Sequence, residues 1–275
     1  MSTHVKKCTE SSEHPAAVSN LEIAGAIGAV AIGRNEGERL KRCLRALCKE
    51  LTKIVYVDSG STDDSVAFAR SLGVEVVELD MSKPFTAARA RNAGFERLLE
   101  LHPQLEFVHF FDGDCEVSEG WLEAALAAMQ GNAMVAVVWG IRREVQPEAT
   151  FLNWLCDVEW RFNWPFGDVT MCGGDALVRV RAFRDVGGFN PLLIAGEEAE
   201  FCLRLRRQNW RIHRLRQEMT YHDANMQRAE QWFKRALRLG YAEAEGSWLY
   251  GRTRERYRIR KNIGVWVWGV CVPLG

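Results

Sequence analysis

The stretch Phe107-Val-His-Phe-Phe-Asp112-Gly-Asp114-Cys-Glu116-Val117 joins an apolar run to two acids separated by one glycine. The run is typical of a buried strand, and in an extended backbone residues i and i+2 point to the same side. The carboxylates of Asp112 and Asp114 would then converge, which is costly without a cation between them, so the pattern predicts an Mg²⁺ or Mn²⁺ site for a phosphate-bearing substrate. Asp-Gly is equally typical of a solvated turn after a strand, and this stretch alone does not distinguish the two.

The composition is that of an ordinary soluble globular protein. Of the 275 residues, 47% are hydrophobic and 26% are charged. Basic and acidic residues both total 36, so the overall charge does not indicate a nucleic-acid partner. The eight cysteines form no C-x-x-C pair, which favours reduced thiols in a cytosolic protein over disulfides or a zinc site.

Strand and helix patterns alternate through the first part of the chain. The predicted strands are Gly28–Ile32, Lys53–Val57, Val74–Leu79 and Leu105–Phe111, and a further strand is predicted at Ala133–Gly140, after which the regular alternation weakens. This alternation predicts an α/β fold with a Rossmann-like, doubly wound, mostly parallel sheet and helices on both faces. Ligands of such sheets bind beyond the carboxyl ends of the strands, so three polar loops are expected to open onto one crevice. These loops are Gly33-Arg34-Asn35-Glu36, Asp58-Ser59-Gly60 and Asp112-Gly113-Asp114.

Four segments, in this order, resemble motifs of the family 2 glycosyltransferases of GT-A fold. Val57-Asp58-Ser-Gly60-Ser-Thr-Asp63 resembles the family's V-D-D/S-G-S-x-D, and Ala90-Arg91-Asn92-Ala-Gly94 resembles its A-R-N-x-G. Asp112-Gly-Asp114 stands where its D-x-D does, and Glu197-Glu198-Ala-Glu200-Phe-Cys-Leu-Arg204-Leu resembles its E-D-x-D-L-x-x-R-L. The resemblance spans Ile27 to Tyr241 and implies metal-dependent, inverting transfer of a sugar from a nucleoside diphosphate to an acceptor hydroxyl.

The resemblance also implies roles for the matched residues. The nucleotide-binding set would be Arg34, Asn35, Glu36, Asp58, Ser59, Gly60, Arg91, Asp112 and Gly113. Within it, Asp58 would hydrogen-bond the nucleobase, and Arg91 and the loop of Arg34 would hold ribose and diphosphate. Asp112 and Asp114 would serve nucleotide and metal, and Glu198 would be the catalytic base.

The residues support this chemistry without the family name. A departing diphosphate must be neutralised, which a divalent cation on Asp114, assisted by Arg91, can do. A separate carboxylate must take the proton of the attacking hydroxyl. Glu198 stands where the family has Asp, so a longer side chain must reach the acceptor, and Glu197 remains a possible substitute. The Q-x-x-R-W signature of processive members is not found after Glu200, which favours a single addition.

Four further residues are candidates for the site. His222 is a candidate third metal ligand, since imidazole is acceptable to Mn²⁺; the alternative is a capping or surface histidine. Asp175 and Gly174, in Cys172-Gly-Gly-Asp175, are expected to meet the donor sugar or acceptor, unless they only form a turn. Trp160 lies in an aromatic-rich segment and can stack on a sugar ring, although core packing is the commoner use of such residues.

The two ends of the chain differ from the region between them. Residues 1–24 are polar and are expected to be disordered without a signal peptide, and residues 25–250 are expected to form the GT-A domain. Residues 251–275 combine a basic run with an apolar, Trp-rich run. This run is too short to cross a bilayer as a helix, so it lies in the membrane interface, starts a longer membrane helix, or docks on the domain. We expect a cytoplasmic protein with membrane contact through this segment.

Three other functions fit parts of the pattern. A D-x-D strand end also occurs in haloacid-dehalogenase-type phosphatases, but there it closes the first strand. A nucleotidyltransferase would carry a glycine-rich loop with Arg or Lys, which Gly33-Arg34 only partly meets. A membrane-associated binding protein with a decayed site would bind nucleotide without turnover. UDP-sugars are the commonest donors of proteins resembling this family, but no residue distinguishes UDP from GDP or dTDP.

Overall fold

The structure is a computed structural model that describes residues 20–267 and residue 269. Its helices are α1 (Asn20–Ala26), α2 (Glu38–Glu50), α3 (Ser65–Ser71), α4 (Ala87–Leu101), α5 (Trp121–Gly131), α6 (Phe151–Phe162), α7 (Val180–Asp185), α8 (Glu197–Arg207), α9 (Ala229–Tyr250) and α10 (Ile259–Trp266). Its strands are β1 (Ile27–Gly33), β2 (Ile54–Asp58), β3 (Glu75–Glu78), β4 (Phe107–Asp112), β5 (Cys115–Val117), β6 (Val135–Glu144), β7 (Gly167–Val169), β8 (Ala176–Arg179) and β9 (Arg211–His222).

One sheet forms the centre of the molecule, with the strand order β3-β2-β1-β4-β8-β6-β9-β5 and with β7 paired to β9. The strands from β3 to β4 are parallel, as the alternating pattern predicts. The chain moves outward from β1 to β3 and returns through α4 to the other side of β1. Because such crossovers are right-handed, this reversal places α4 on the opposite face from α2 and α3. The α/β, Rossmann-like fold is therefore confirmed.

A glycine sets the distance between α4 and the sheet. A Cβ added to Gly94 would lie 2.3 Å from Cγ1 of Val30 and 2.8 Å from Cγ2 of Val57, so a side chain here would push the helix away from β1 and β2. The close approach explains the glycine of Ala90-Arg91-Asn92-Ala-Gly94. It also fixes the height of Arg91, which lies nearly one turn earlier on α4.

The second half of the sheet departs from the regular parallel pattern. Strand β8 is antiparallel to both β4 and β6, whereas β6 and β9 are parallel. The sequence predicted that the strand starting near Ala133 ends at Gly140, but β6 continues to Glu144 through irregular pairing with β9. A Cβ on Gly140 would lie 2.6 Å from the Gln217 carbonyl oxygen. This glycine therefore permits close strand contact and does not end the strand.

The two ends of the described chain are helical. The predicted disordered segment 1–24 overlaps α1 at residues 20–24, where Ile23 is buried in the core; the rest of that prediction lies outside the described residues. Helix α9 ends at Tyr250, at the predicted domain boundary, and α10 follows. Across residues 20–267 and 269, no helix combines the length and apolar character needed to cross a membrane. The cysteines in this range carry free thiols, as predicted.

Candidate active site

The three predicted polar loops meet at the carboxyl edge of the parallel strands. In the register of the sheet, Gly33 pairs with Asp58 on β2, and Ile32 pairs with Asp112 on β4. Asp58 and Asp112 therefore flank the end of β1. The strand order reverses between β1 and β4, and the crevice at such a reversal is where open α/β sheets bind ligands.

Hydrogen bonds tie the first two loops together. The amide of Asn35 donates to Oγ of Ser61 at 2.9 Å, and Oδ1 of Asn35 accepts from the amide of Thr62 at 2.7 Å. Asn35 adopts a positive φ of 55°, a conformation that asparagine tolerates better than most residues. Arg34 remains exposed beside this junction. The loops thus form one rigid edge of the crevice.

Asp58 is buried beneath its own loop. Its Oδ2 accepts from the amides of Gly60 and Ser61 at 2.9 and 2.8 Å, and its Oδ1 accepts from the hydroxyl of Tyr56 at 2.9 Å. The neighbouring Ser59 is also buried, and its Oγ has no hydrogen-bond partner among the described residues. These contacts show that Asp58 shapes the loop; contact of Asp58 with a nucleobase stays a prediction.

Arg91 connects the acidic strand end to the start of α8. Its Nη2 contacts Oδ1 of Asp112 at 2.8 Å, and its Nη1 contacts Oε1 of Glu197 at 2.8 Å and Oε1 of Glu198 at 3.1 Å. The side chain is only 3% exposed, so these pairs form in a low-dielectric environment. The predicted contact of Arg91 with a diphosphate stays a prediction, because the guanidinium here is occupied by three carboxylates.

Residues of the second half of the sheet hold Asp112 in position. Its amide donates to Oδ1 of Asp175 at 3.0 Å. Oδ2 of Asp175 accepts from Nη2 of Arg142 at 2.7 Å and from Oγ1 of Thr220 at 2.9 Å. Asp175 is fully buried, with both oxygens engaged, so it positions Asp112 and Arg142. Its predicted contact with a sugar or acceptor stays a prediction.

Asp114 and His222 belong to a group of side chains that could hold a metal ion. Ligand atoms of Asp112, Asp114, Cys115 and His222 all lie within 4.8 Å of one another. Nε2 of His222 is 3.3 Å from Oδ1 of Asp114, and Nδ1 of His222 is buried with no hydrogen-bond partner among the described residues. Carboxylate oxygen and imidazole nitrogen suit Mn²⁺ and carboxylate oxygen suits Mg²⁺, so the residues present fit a divalent cation.

Burial and charge shift the pKa values of this group in opposite directions. Burial, followed by the Asp112 charge, raises the pKa of Asp114 to about 7. Burial also opposes ionisation of Asp112, but Arg91 and Arg142 outweigh it and lower its pKa. Burial, followed by the Arg142 charge, lowers the pKa of His222 to about 3, so the imidazole is neutral at pH 7 and free to bind a metal.

Glu36 belongs to the same electrostatic group. Burial, followed by the charge of Asp114, raises its pKa to about 7, and Oε2 of Glu36 contacts Nη2 of Arg39 at 2.6 Å. Gly113 lies against the same loop. Its amide donates to the carbonyl of Ile32 at 2.8 Å, and a Cβ on Gly113 would lie 2.9 Å from that oxygen. Glu36 and Gly113 thus join the first loop to the acidic pair.

The three acids of α8 have different surroundings. Glu200 is 3% exposed and is held by Nε of Arg204 at 2.8 Å and by the hydroxyl of Tyr250 at 2.5 Å, which indicates a structural role. Glu197 is 7% exposed and Glu198 is 19% exposed, so Glu198 is the more accessible of the two. Burial, followed by the Glu197 charge, raises the pKa of Glu198 to about 7, although Arg91 opposes this. Such a pKa suits a base at neutral pH.

Gly174 and Trp160 both lie beside this cluster. A Cβ on Gly174 would lie 2.8 Å from Nη2 of Arg91, 2.9 Å from Oδ2 of Asp112 and 3.3 Å from Oε1 of Glu198. The ring of Trp160 contacts the ring of His222 edge to face at 4.7 Å. Contact of either residue with a sugar stays a prediction.

Sequence reasoning missed Arg142 and Cys115 as members of the site. Arg142 contacts Asp175, reaches Oδ2 of Asp112 at 3.4 Å, and lies over the ring of Trp160 at 5.6 Å. It was missed because the strand that carries it was expected to end at Gly140. The signal for Cys115 was its position directly after Asp114.

Comparisons with known proteins show the family and the fold. The family model "Glycosyl transferase family 2" matches residues 30–187. The chain is similar to the pre-mycofactocin glycosyltransferase of Mycobacterium tuberculosis (strain CDC 1551 / Oshkosh), with 30% identity over 187 residues, which are 62% of this chain and 37% of that protein. The chain thus matches little more than a third of this curated relative.

Two solved structures share the fold. The Pyrobaculum calidifontis mannosyltransferase PcManGT, in complex with GDP-Man and Mn²⁺, superposes with a TM-score of 0.62 at 16% identity, over 88% of this chain and 69% of that one. S. aureus TarS 1–349 superposes with a TM-score of 0.57 at 16% identity, over 80% and 65% of the two chains. The family match covers more than half of the described chain and includes the segments that carry Asp58, Arg91, Asp112 and Asp114. The chain therefore belongs to glycosyl transferase family 2.

Proposed function

We propose that this protein transfers a sugar from a nucleoside diphosphate to an acceptor hydroxyl, in a single, inverting, metal-dependent addition. The observation that carries the proposal is the Arg91 cluster, which holds the acid at the end of β4 and the carboxylates of α8 on one guanidinium. Asp112, of the proposed metal site, and Glu198, the proposed base, therefore contact the same guanidinium, and the reaction requires groups of both kinds near the donor. The GDP-Man and Mn²⁺ in the PcManGT complex are consistent with this arrangement.

Asp114, His222 and Asp112 would hold a Mn²⁺ or Mg²⁺ ion. When bound, such an ion neutralises the charge of the departing diphosphate. Asp175 and Arg142 keep the Asp112 carboxylate in place through direct contacts. The side chains of Arg34, Asn35 and Glu36, with Asp58, Ser59, Gly60 and Gly113, would line the nucleotide site along the edge of the sheet.

Glu198 would accept the proton of the acceptor hydroxyl. As the proton moves to the carboxylate, the hydroxyl oxygen forms a bond to the anomeric carbon, and the bond from that carbon to the diphosphate breaks on the opposite face. The nucleoside diphosphate leaves with the electron pair of that bond. Arg91 contacts Glu198 at 3.1 Å and thereby orients it for this transfer.

A UDP-sugar is the first donor to test, and the acceptor is a saccharide, lipid or other hydroxyl compound. The test is a thermal-shift panel of UDP, GDP and dTDP with and without Mn²⁺. We expect one nucleotide to stabilise the protein only with the metal, and Asp114→Ala to remove that shift. Stabilisation that is independent of Mn²⁺, or unchanged in Asp114→Ala, would contradict the proposed site.

We also propose a cytoplasmic location with peripheral membrane contact through residues 252–275. In α10, Ile263 is 56% exposed and Trp266 is 65% exposed, beside basic residues of the preceding loop. Apolar and aromatic groups next to cations are typical of segments in the membrane interface. Sedimentation with phosphatidylglycerol vesicles that is lost in Trp266→Glu would support this contact, and sedimentation equal in both proteins would contradict it.

A further inference from the structure

A cavity of about 800 Å³ lies between α8, the loop after β7 and the segment from Arg254 to Ile263. It is separate from the acidic crevice, and none of the residues that line it belongs to the proposed nucleotide, metal or base set. One acid, Glu255, lies in its wall. Six cationic side chains line it: Arg206, Arg254, Arg256, Arg258, Arg260 and Lys261.

Most of this positive charge is not neutralised by the protein. Glu255 is already paired with Arg207, at 3.0 Å between Oε2 and Nη2. Arg258 and Lys261 share Glu243, each at 2.9 Å. The other four lining arginines have no ion-pair partner in the described part of the chain. Guanidinium groups that surround a cavity without carboxylate partners are suited to an anionic ligand.

Two local features indicate that the cavity is built for a ligand. Arg256 and Arg258 both adopt positive φ angles, 47° and 62°, which are unfavourable for residues other than glycine and asparagine. Strain of this kind concentrates at ligand sites. In addition, Nε of Arg206 is buried and has no hydrogen-bond partner among the described residues. A buried donor without a partner is costly unless a ligand or water satisfies it.

The remaining lining is mostly apolar and includes Trp164, Met171, Tyr257 and Ile263. A ligand that combines an anionic group with an apolar part therefore fits the wall better than an inorganic anion does. Several guanidinium groups in one cavity wall suit phosphate, whose oxygens can be shared among several arginines, whereas a planar carboxylate is satisfied by one.

The cavity shares two chain segments with the active site. Ala199 lines it and directly follows Glu198 on α8. Thr170 and Met171 also line it, and they lie just before Gly174 in sequence. Gly174 packs against the Arg91 cluster, since a Cβ added to it would lie 2.8 Å from Nη2 of Arg91. The cavity wall and the proposed base are therefore carried by the same helix. We infer that the cavity is an acceptor subsite for a phosphate-bearing amphiphile, an inference that rests on the proposed function.

The probe is octyl phosphate, below its micelle concentration, titrated calorimetrically into the full chain. Inorganic phosphate and octyl glucoside serve as charge-only and tail-only comparisons. The variant is Arg254→Ala/Arg260→Ala, because both side chains line the cavity, are exposed and lack ion pairs. The matched control is Arg252→Ala, an exposed arginine of the same basic segment that does not line the cavity.

We expect one molecule of octyl phosphate to bind per chain, at least about tenfold more tightly than either comparison compound. The double variant should lose about tenfold or more in affinity, and Arg252→Ala should keep it. Absence of saturable octyl phosphate binding would overturn the inference. An equal loss of affinity in Arg252→Ala would also overturn it, because binding would then reflect the general positive charge of the segment and not the cavity.

Two further measurements are needed. The first distinguishes the two possible sources of the phosphate group, and the second distinguishes failure of the subsite from failure of the proposed function. Sedimentation with phosphatidic acid vesicles that depends on Arg254 and Arg260 would assign the phosphate to a lipid headgroup, and its absence would assign it to a soluble acceptor. Binding of nucleoside diphosphate with Mn²⁺ is measured on the same proteins. Octyl phosphate binding without nucleotide binding would refute the proposed function and the acceptor role together. Nucleotide binding without octyl phosphate binding would refute the subsite alone.

Discussion

Removal of the Arg91 guanidinium tests whether this residue holds the site together or only contacts the diphosphate. In Arg91→Met, a side chain of similar length remains, but the three carboxylates lose the cation that they share at 2.8, 2.8 and 3.1 Å. Breaking a buried ion pair from one side costs about 3–5 kcal/mol. Asp112 retains Arg142 at 3.4 Å, which limits the loss at that carboxylate.

The assay is urea unfolding followed by tryptophan fluorescence at about pH 7.5, where the ionised carboxylates repel each other most. The expected loss is about 3–5 kcal/mol, or roughly 6–20 °C in melting temperature for a chain of this size. The matched control is Arg97→Met, on the same helix, whose side chain is 39% exposed and pairs with Glu75 and Glu100. Because exposed pairs contribute little, the control should lose less than about 1 kcal/mol.

The pH dependence of this loss has a defined sign. In the wild type the pKa of Asp112 is lowered, because the two arginines outweigh its burial. Its stabilising contribution is therefore present above the pKa of the unfolded chain and is lost as the pH falls. Arg91→Met removes much of that contribution, so the two proteins should converge as the pH falls below about 4, through the lowered pKa of Asp112. If Arg91→Met were as stable as Arg97→Met but had lost nucleotide affinity, Arg91 would contact the diphosphate and would not hold the three carboxylates together.

Four further predictions concern catalysis and metal binding. Glu198→Gln should lower kcat by about 10²–10⁴-fold while nucleotide binding is kept, whereas Glu197→Gln should cost less; equal losses would remove the assignment of the base. Because only the ionised form accepts a proton and the pKa of Glu198 is about 7, kcat/KM for the acceptor should rise with pH and level off above about 7, and a flat wild-type profile would contradict this. His222→Ala should weaken Mn²⁺ binding by at least about tenfold in calorimetry, whereas unchanged affinity would exclude it as a ligand. Gly174→Ala should lower kcat by about 10²-fold through displacement of the ion-pair cluster, whereas Gly173→Ala, which has open space, should not.

The part of the fold that follows local periodicity could be predicted. Strands β1 to β4 and their helices repeat apolar patterns that one segment reveals by itself, and the carboxyl-end rule then brings together the loops of Asp58 and Asp112. The acids of α8 were found through a motif. The ion pairs of Arg91 could not be predicted in this way, because Asp112 and Glu197 lie 21 and 106 residues from Arg91 in sequence.

The residues that were missed depend on tertiary contacts. Arg142 reaches the site because Gly140 lets β6 pass close to Gln217, a contact without a local pattern. The antiparallel pairing of β8 with β4 that places Asp175 under Asp112 likewise has no local pattern, and contact of Asp175 with a sugar or acceptor stays a prediction. The arginines of the C-terminal segment predict contact with a membrane surface. That several of them also line a cavity is seen only in the fold, where α8 and α10 contribute to one wall.

The most direct test of the account is a crystal structure with the stabilising nucleoside diphosphate and Mn²⁺, measured at the manganese absorption edge. The account predicts one anomalous peak within bonding distance of Asp114 and His222, with the diphosphate on the same ion and Glu198 across the donor site from it. A manganese peak away from these two side chains, or a nucleotide bound at another face of the sheet, would contradict it.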